Sequence, residues 1–303
     1  MEEPPSATVA PGGSPALHDT HAKTSTRVTV NSSYREKFAA ATDYRAFVSS
    51  VLGAAQSGDK DAQYSLYEAL FYCDDKFSYY FTRGKRHLTL DEALQWTSSR
   101  APAAMDDVRT AYSRCHELQE SPLDGVGSAS EWLKLATAAG NPLAQARTAE
   151  IDLMQSSLAT YRAYQGETPK TNPDEQRRTA IDLVNQALKS KDPEVLWAIG
   201  DMSGLITGST RNTDTDQWAW KLAACNRGFD CSETAPWRQA SCHFDAGTTC
   251  ISAESGVDMI RRFTGDSFTD VEKSAKEINS LLDTNAWDKL SEMLVGSANK
   301  GTH

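Results

Sequence analysis

Two stretches of the chain repeat one phrase, SGDKDAQYSLYEAL at residues 57–70 and AGNPLAQARTAEID at residues 139–152. When the two are aligned, a glycine, an alanine and a glutamine coincide: Gly58 with Gly140, Ala62 with Ala144, and Gln63 with Gln145. Apolar residues recur at three- and four-residue spacing on both sides of each glycine, which is typical of amphipathic helices. The glycine allows the left-handed conformation that ends one helix, and the next residue, Asp59 or Asn141, caps the following helix. Each phrase therefore predicts a helix, a tight turn and a second helix.

Weaker copies of this turn continue along the middle of the chain. Arg100, Lys191 and Gly228 take the turn position, so that successive turns are 42, 40, 51 and 37 residues apart. Helical-hairpin repeats have periods of about 34–47 residues. Trp132 and Trp220 each lie eight residues before a turn glycine, on the face that one hairpin would pack against the next. The pattern predicts an all-α fold in which hairpins stack as a right-handed α-solenoid.

The stretch WLKLATAAGNPLAQA (132–146) resembles the Sel-like repeat, which is related to the tetratricopeptide repeat. GDKDAQYSLYEALFY (58–72) is similar to the second half of that repeat. The resemblance extends over residues 44–230, with two clear units and degenerate copies elsewhere. It implies an α-solenoid with a concave surface for protein partners, in a family with no common set of catalytic residues.

Composition divides the chain into four parts. Residues 1–33 have few large apolar side chains to offset the entropy of ordering, so they predict a disordered leader. Residues 34–230 form the repeat region, residues 231–294 a cysteine-rich cap with C-terminal helices, and residues 295–303 a flexible tail. The leader has no signal-peptide pattern. We expect an exported protein from which the signal peptide has been removed, with room for a lipid anchor ahead of residue 1; a cytosolic protein with a loose tail would start in the same way.

The six cysteines indicate a disulfide framework and an oxidising compartment. Cys73 and Cys115 each follow a turn position by 15 residues. Neighbouring second helices would therefore bring the two together, and we predict a Cys73–Cys115 bond. The four later cysteines would pin the C-terminal helical cap in one of two pairings, of which we favour the first: Cys225–Cys231 with Cys242–Cys250, or Cys225–Cys242 with Cys231–Cys250.

Few residues suggest catalysis or metal binding. The chain contains no GxSxG, P-loop or HExxH motif. Cys231, Cys242, His243 and Cys250 could supply three sulfurs and an imidazole, but their spacing is a poor match to zinc modules. We therefore predict no metal and no cofactor.

One carboxylate, that of Glu254, is a candidate catalytic group, and it is the basis of the alternative that the protein is an enzyme. The phrase AESG (253–256) opens a helix after the predicted solenoid, and soluble lytic transglycosylases place a catalytic glutamate followed by serine in a similar position. The resemblance implies that Glu254 would act as the general acid that protonates a glycosidic oxygen. The Gly-Leu-Met-Gln stretch of that family is absent, and little chain follows Glu254.

The aromatic stretch FYCDDKFSYYF (71–81) is the candidate partner-binding surface. Aromatic side chains with polar tips are enriched at interfaces, so we select Phe77, Tyr79, Tyr80 and the nearby Trp96. The alternative is that these rings pack the loop between the first two units.

Net charge narrows the class of partner. Lys and Arg number 31 and Asp and Glu number 41, which gives −10 and excludes non-specific binding to nucleic acid. No window approaches the ~18 apolar residues of a membrane span. The sequence predicts a non-enzymatic, exported helical-repeat protein that serves as a protein–protein interaction scaffold in a bacterial envelope, in the periplasm or otherwise outside the cytoplasm. The alternatives are a peptidoglycan-acting, glycan-cleaving enzyme that uses Glu254, and a cytosolic scaffold with reduced cysteines.

Overall fold

A computed structural model describes residues 32–84, 86–166, 168–169, 171–207, 214–235 and 254–296. These residues are mostly helical, as the sequence predicts. Most of the predicted leader and tail lies outside the described residues, and so do Cys242, His243 and Cys250. The boundaries differ slightly from those predicted, because the first helix begins at Ser32 and the last ends at Gly296.

The helices differ widely in length, and the longest are the second helices of two hairpins. In chain order the α-helices are α1 (Ser32–Ala40), α2 (Tyr44–Gln56), α3 (Lys60–Phe81), α4 (Leu90–Ser98), α5 (Met105–Glu120), α6 (Ala129–Ala138), α7 (Pro142–Tyr164), α8 (Pro173–Leu188), α9 (Pro193–Thr207), α10 (Asp214–Asn226), α11 (Gly256–Thr264), α12 (Phe268–Asp283) and α13 (Trp287–Gly296). A short antiparallel hairpin, β1 (Thr82–Arg83) with β2 (Arg86–His87), connects α3 to α4. Single 3₁₀ turns precede α5 (Pro102–Ala104) and α12 (Gly265–Ser267).

The predicted glycine turns have one shared geometry. Gly58, Gly140 and Gly228 are left-handed, with φ of 93°, 76° and 99°. In each turn the next residue donates its backbone N–H to the carbonyl five residues earlier, as Asp59 does to Ala54 at 3.1 Å. This is the hydrogen bond of a Schellman C-cap, which satisfies a carbonyl that the helix end leaves without a partner.

The weaker turn positions behave differently from one another. Lys191, between α8 and α9, is left-handed at φ 56° without being glycine. Asn285, between α12 and α13, has φ 55°, and the N–H of Ala286 bonds to Leu281 at 2.9 Å, so this turn repeats the motif without a glycine in the sequence to signal it. Arg100, in contrast, follows α4 in a turn where its N–H bonds to Thr97 at 3.0 Å, and it is not left-handed.

The hairpins contact one another in an order that omits the Arg100 copy. Helix α3 packs against α6, α7 against α8 and α9, α9 against α10, and α10 against α11 and α12. The hairpin α2–α3 therefore packs directly on the hairpin α6–α7. Helix α5 packs on α2 and α3 instead, so the predicted unit at Arg100 is not an intermediate layer. The right-handed superhelix itself stays a prediction.

Two large hydrophobic clusters hold most of these helices together, and Tyr64 of α3 packs against both. The N-terminal cluster lies among α2, α3, α5, α6 and the start of α7, and its large members are Tyr44, Phe47, Leu66, Tyr67, Leu118, Trp132 and Leu133. The C-terminal cluster lies among α7 to α13, and its large members include Leu153, Leu188, Leu196, Ile199, Met202, Ile206, Trp220, Ile260, Ile278 and Leu282.

Two disulfides lie within the described residues, and both are pairs that we predicted. Cys73 of α3 and Cys115 of α5 are fully buried, with Cα atoms 5.2 Å apart. Cys225 and Cys231 close the turn around Gly228, with Cα atoms 5.6 Å apart. The predicted Cys242–Cys250 bond lies outside the described residues. None of the described helices is long and apolar enough to cross a membrane.

Candidate functional site

The end of α3 forms one wall of an open groove. Helix α3 has 22 residues and α2 only 13, so the last turns of α3 run on beyond the helix with which it forms a hairpin. There α3 meets β1 and the short helix α4, and the space enclosed is about 570 Å³. The side chains lining this aromatic groove are Phe71, Asp74, Asp75, Ser78, Tyr79, Arg83 and Trp96.

The predicted aromatic surface is divided between this groove and the interior. Tyr79 is 52% exposed and lines the groove, as Trp96 does. Tyr80 is only 2% exposed and belongs to a small cluster with Phe81 under α4 and α5. Phe77 is partly buried and stacks on Phe81 with ring centroids 4.7 Å apart. Tyr80 and Phe77 therefore pack the α3–α4 connection, which was the alternative for this stretch.

Trp96 contacts two guanidinium groups. The Cζ of Arg83 is 3.6 Å from the centroid of the indole and that of Arg100 is 4.5 Å away, which are cation–π distances. Nη1 of Arg83 also donates 2.8 Å hydrogen bonds to the carbonyls of Tyr79 and Thr82. Phe71 also lies under a guanidinium, with the Cζ of Arg147 5.0 Å from its ring centroid, and it is 41% exposed.

The charge of the groove is set by two adjacent carboxylates. Asp74 accepts a 3.3 Å hydrogen bond from the neutral amide of Gln119, and Asp75 is exposed. Neither carboxylate has a cationic partner within the part of the chain that the structure describes. Among the described residues that line the groove, these two carboxylates outnumber the one guanidinium, that of Arg83, which is stacked on Trp96. The groove therefore favours a cationic group of a ligand over an anionic one.

Burial keeps a neighbouring hydroxyl protonated. The largest effect on Tyr80 is its burial, and the nearby carboxylates of Asp107 and Asp75 act in the same direction; together they raise the pKa of Tyr80. Its hydroxyl is therefore neutral in physiological conditions, and it lies below the groove as packing rather than as an acid or base.

The catalytic candidate Glu254 is held in an ion pair. Nε of Arg262 donates to one carboxylate oxygen at 2.9 Å and Nη2 donates to the other at 3.0 Å. The side chain of Glu254 is 9% exposed. Because a guanidinium occupies both oxygens, neither is available to donate a proton to a glycosidic oxygen. This geometry is typical of a structural ion pair.

A metal site finds no support among the described residues. They contain no group of three or more His, Cys, Asp and Glu side chains placed to hold an ion. Cys231, one member of the zinc alternative, is bonded to Cys225 and so lacks the thiolate that zinc requires.

Sequence reasoning selected the stretch 71–81, which contains four further groove residues, but it did not select these or Arg83 individually. Phe71, Asp74, Asp75, Ser78 and Arg83 line the groove beside the two that it selected. The helical period could have identified four of them, because residues 71, 74, 75 and 78 lie within two turns on one side of a helix. Aromatic content alone directed attention to Phe77 and Tyr80, which lie on the opposite, packed side.

The fold and the groove together define an all-α, disulfide-bonded protein with an open aromatic and acidic groove. The chain matches no family model, no curated protein and no solved structure. The resemblance to the Sel-like repeat therefore stays a resemblance.

Proposed function

We propose that this chain is a non-enzymatic, exported helical-repeat protein that acts as a protein–protein interaction scaffold in a bacterial cell envelope. The observation that carries the proposal is the open groove, where the half-exposed ring of Tyr79 lies beside the carboxylates of Asp74 and Asp75. Amphipathic aromatic rings are enriched at surfaces that bind another protein, and the two carboxylates favour a partner with basic residues.

The shape of the groove supports a macromolecular ligand over a small substrate. Small-molecule sites are concave and bury most of the ligand. This groove is open along α3 and is bordered by the short α4, so it would cover one side of a projecting peptide segment. The pairing of Glu254 with Arg262 also favours a binding role over glycan cleavage.

The export part of the proposal is supported by the two disulfides. Two bonds use four of the six cysteines, so we expect at most two reactive thiols when the isolated protein is unfolded without reductant. Six reactive thiols would instead support the cytosolic scaffold with reduced cysteines.

The binding part can be tested by photo-crosslinking in the producing bacterium. We expect a photoreactive phenylalanine analogue at Tyr79 to yield a discrete protein adduct. The matched control carries the same analogue at Lys289, an exposed position on α13 far along the chain. The charge-reversing variant Asp75→Lys should remove the Tyr79 adduct without changing the helical content. Identical adducts from both positions, or an adduct that survives Asp75→Lys, would contradict the proposal.

A further inference from the structure

The second helices of two hairpins lie side by side in a fixed register. Nζ of Lys60 donates to the carbonyl of Gly140 at 3.2 Å, and Nδ2 of Asn141 donates to Asp61 at 2.9 Å. Nε of Arg147 donates to the hydroxyl of Tyr67 at 2.8 Å, again between residues 80 positions apart. Because the offset stays at 80 over two turns of helix, these side-chain hydrogen bonds hold the N-terminal halves of α3 and α7 parallel, while α3 itself packs on α6.

Beyond these contacts, the same two faces bear exposed apolar side chains. The face of α3 that contains Tyr67 continues at three- and four-residue steps through Phe71, Asp74 and Ser78. The face of α7 that contains Arg147 continues in the same way to Met154, Leu158 and Tyr161. Phe71 is 41% exposed, Met154 46%, Leu158 48% and Tyr161 62%.

We infer the separation of the two helices from this exposure. If α3 and α7 stayed in contact along their length, the facing side chains would be buried between them. Ile151 still packs against the N-terminal cluster, whereas Met154, less than one turn later, is nearly half exposed. We name the space between these two exposed faces, beyond Phe71 and Ile151, the α3–α7 cleft.

The two walls of the α3–α7 cleft are fixed from behind and differ in character. The Cys73–Cys115 bond ties the α3 wall to α5, and α8 packs along α7. The α7 wall is apolar, with Met154, Leu158 and Tyr161. The α3 wall carries Phe71 and Asp74, and Asp75 lies beside it in the aromatic groove.

We propose that the α3–α7 cleft binds an amphipathic α-helix of a partner protein, with apolar residues against α7 and lysine or arginine residues against Asp74 and Asp75. The inference rests on the proposed function, of which it names the class of partner. The lysine or arginine residues of the ligand follow from charge complementarity. Neither Asp74 nor Asp75 has a cationic partner among the described residues.

The secondary structure of the walls selects a helical ligand over an extended one. An extended peptide would bury backbone N–H and C=O groups that helical walls cannot pair, at a cost of about 1–3 kcal/mol for each unsatisfied group. A helix satisfies its own backbone and presents apolar side chains every three or four residues, the same spacing as Met154, Leu158 and Tyr161. The exposed stretch of α7 from Met154 to Tyr164 spans about 15 Å, or three turns of a ligand helix.

The probe is a fluorescent Leu/Lys peptide of about four helical turns with leucines at three- and four-residue spacing. Anisotropy titration at about 0.15 M salt, where surface charges are well screened, should give saturable binding to the disulfide-bonded protein. A peptide with every lysine replaced by glutamate should bind at least about tenfold more weakly, a difference of about 1.4 kcal/mol. A Leu/Lys peptide with two central prolines cannot form the helix, so its affinity should fall by a similar factor. Equal binding of the lysine and glutamate peptides would overturn the proposal.

Two matched variants locate the binding surface. Leu158→Asp should weaken binding of the Leu/Lys peptide at least about tenfold, because it places a charge on the apolar wall. Leu135→Asp is the control: Leu135 on α6 is also 48% exposed, but it lies at the closed end, next to the turn into α7. Both positions are exposed, so both variants should keep the helical circular dichroism of the wild type. Equal losses in the two variants would contradict binding in the cleft.

The free protein provides the remaining test. If sedimentation shows a dimer that Leu158→Asp converts to a monomer, the cleft is an interface between two copies and the proposal is wrong. If the peptide does not bind while the Tyr79 crosslink persists, the helical partner is rejected and the scaffold function stands. Loss of the crosslink as well would reject both.

Discussion

The N-terminal and C-terminal clusters hold the same kind of helical hairpin together with different side chains. Among its large members the N-terminal cluster has four aromatic residues, Tyr44, Phe47, Tyr67 and Trp132, whereas the C-terminal cluster has one, Trp220, among leucines and isoleucines. Both regions contain a glycine turn of the same geometry. The turn therefore sets the local hairpin in each region, while the core around it is free to differ.

The two disulfides differ in the same way. Cys73 and Cys115 are buried in the N-terminal cluster and join residues 42 apart in sequence. Cys225 and Cys231 are 6 apart and close a turn at the edge of the C-terminal cluster. An internal cross-link between distant helices restricts the unfolded chain more than a bond across one turn does.

The largest effect is expected from removing these bonds one at a time. In the chain-entropy account, the double variant Cys73→Ala/Cys115→Ala should lose about 4 kcal/mol of unfolding free energy, and Cys225→Ala/Cys231→Ala about 2 kcal/mol. Urea unfolding without reductant, followed by circular dichroism, measures both. Equal losses would show that the N-terminal region depends on its disulfide no more than the C-terminal region does.

The sequence predicted the hairpins better than their packing, for a physical reason. Gly58 and Gly140 signal turns because only glycine adopts the left-handed conformation at low cost. Asn285 adopts it without a glycine, so this turn did not stand out as a copy of the same motif. The copy at Arg100 packs on the hairpin α2–α3 through α5 but does not lie between that hairpin and α6–α7, because an apolar period predicts a helix and does not specify every neighbour it packs against.

The candidate site was predictable to a smaller extent. Tyr79 and Trp96 were selected as aromatic residues near a loop, and both line the groove. Asp74 and Asp75 were not selected, since their exposure depends on which side of α3 is covered by α4 and α5. That coverage is a long-range property, fixed in part by the bond between Cys73 and Cys115.

A partly buried charge cluster at the junction of the two regions gives a second prediction. Arg35 of α1 bonds to Asp192 at 3.0 Å and to Glu194 at 3.3 Å, at the start of α9. Burial raises the pKa of Glu68 on α3 from an ordinary 4.5 to about 8, with repulsion from Glu194 adding to the effect and Arg35 opposing it. The native protein therefore holds a proton on Glu68 over a pH range in which the unfolded chain has released it.

The direction of the pH dependence follows from that proton. Between pH 4.5 and about 8 the native state binds more protons at Glu68 than the unfolded state, so this residue makes unfolding free energy fall as pH rises, by at most about 1.4 kcal/mol per unit. Below this range the stabilisation is fully present, and above it the stabilisation is lost. Glu68→Gln should flatten the slope and be the more stable protein at about pH 8, relative to its parent.

Urea titrations across this pH range test the prediction, with Glu36→Gln as the control. Glu36 lies on α1 but is exposed, so Glu36→Gln should show the same slope of unfolding free energy against pH as the wild type. Burial raises the pKa of Glu194 in the same direction, so some slope should persist in Glu68→Gln. An unchanged slope in Glu68→Gln would exclude a proton held at the junction.

The smallest effects should come from the turns, where the two regions can be compared directly. Gly58 ends α2 at φ 93° with no atom within 4 Å of where a Cβ would lie, so Gly58→Ala should cost about 1 kcal/mol through the backbone alone. Gly53→Ala, in the middle of the same helix with equally open surroundings, should stabilise the protein by about 0.5–1 kcal/mol because alanine favours helix.

Lys191 adopts the left-handed conformation in the C-terminal region without being glycine, so Lys191→Gly should stabilise the protein by up to about 1 kcal/mol. Urea unfolding of the three variants under one condition measures these signs, and destabilisation by Lys191→Gly would show that contacts of the lysine side chain outweigh the strain in its backbone.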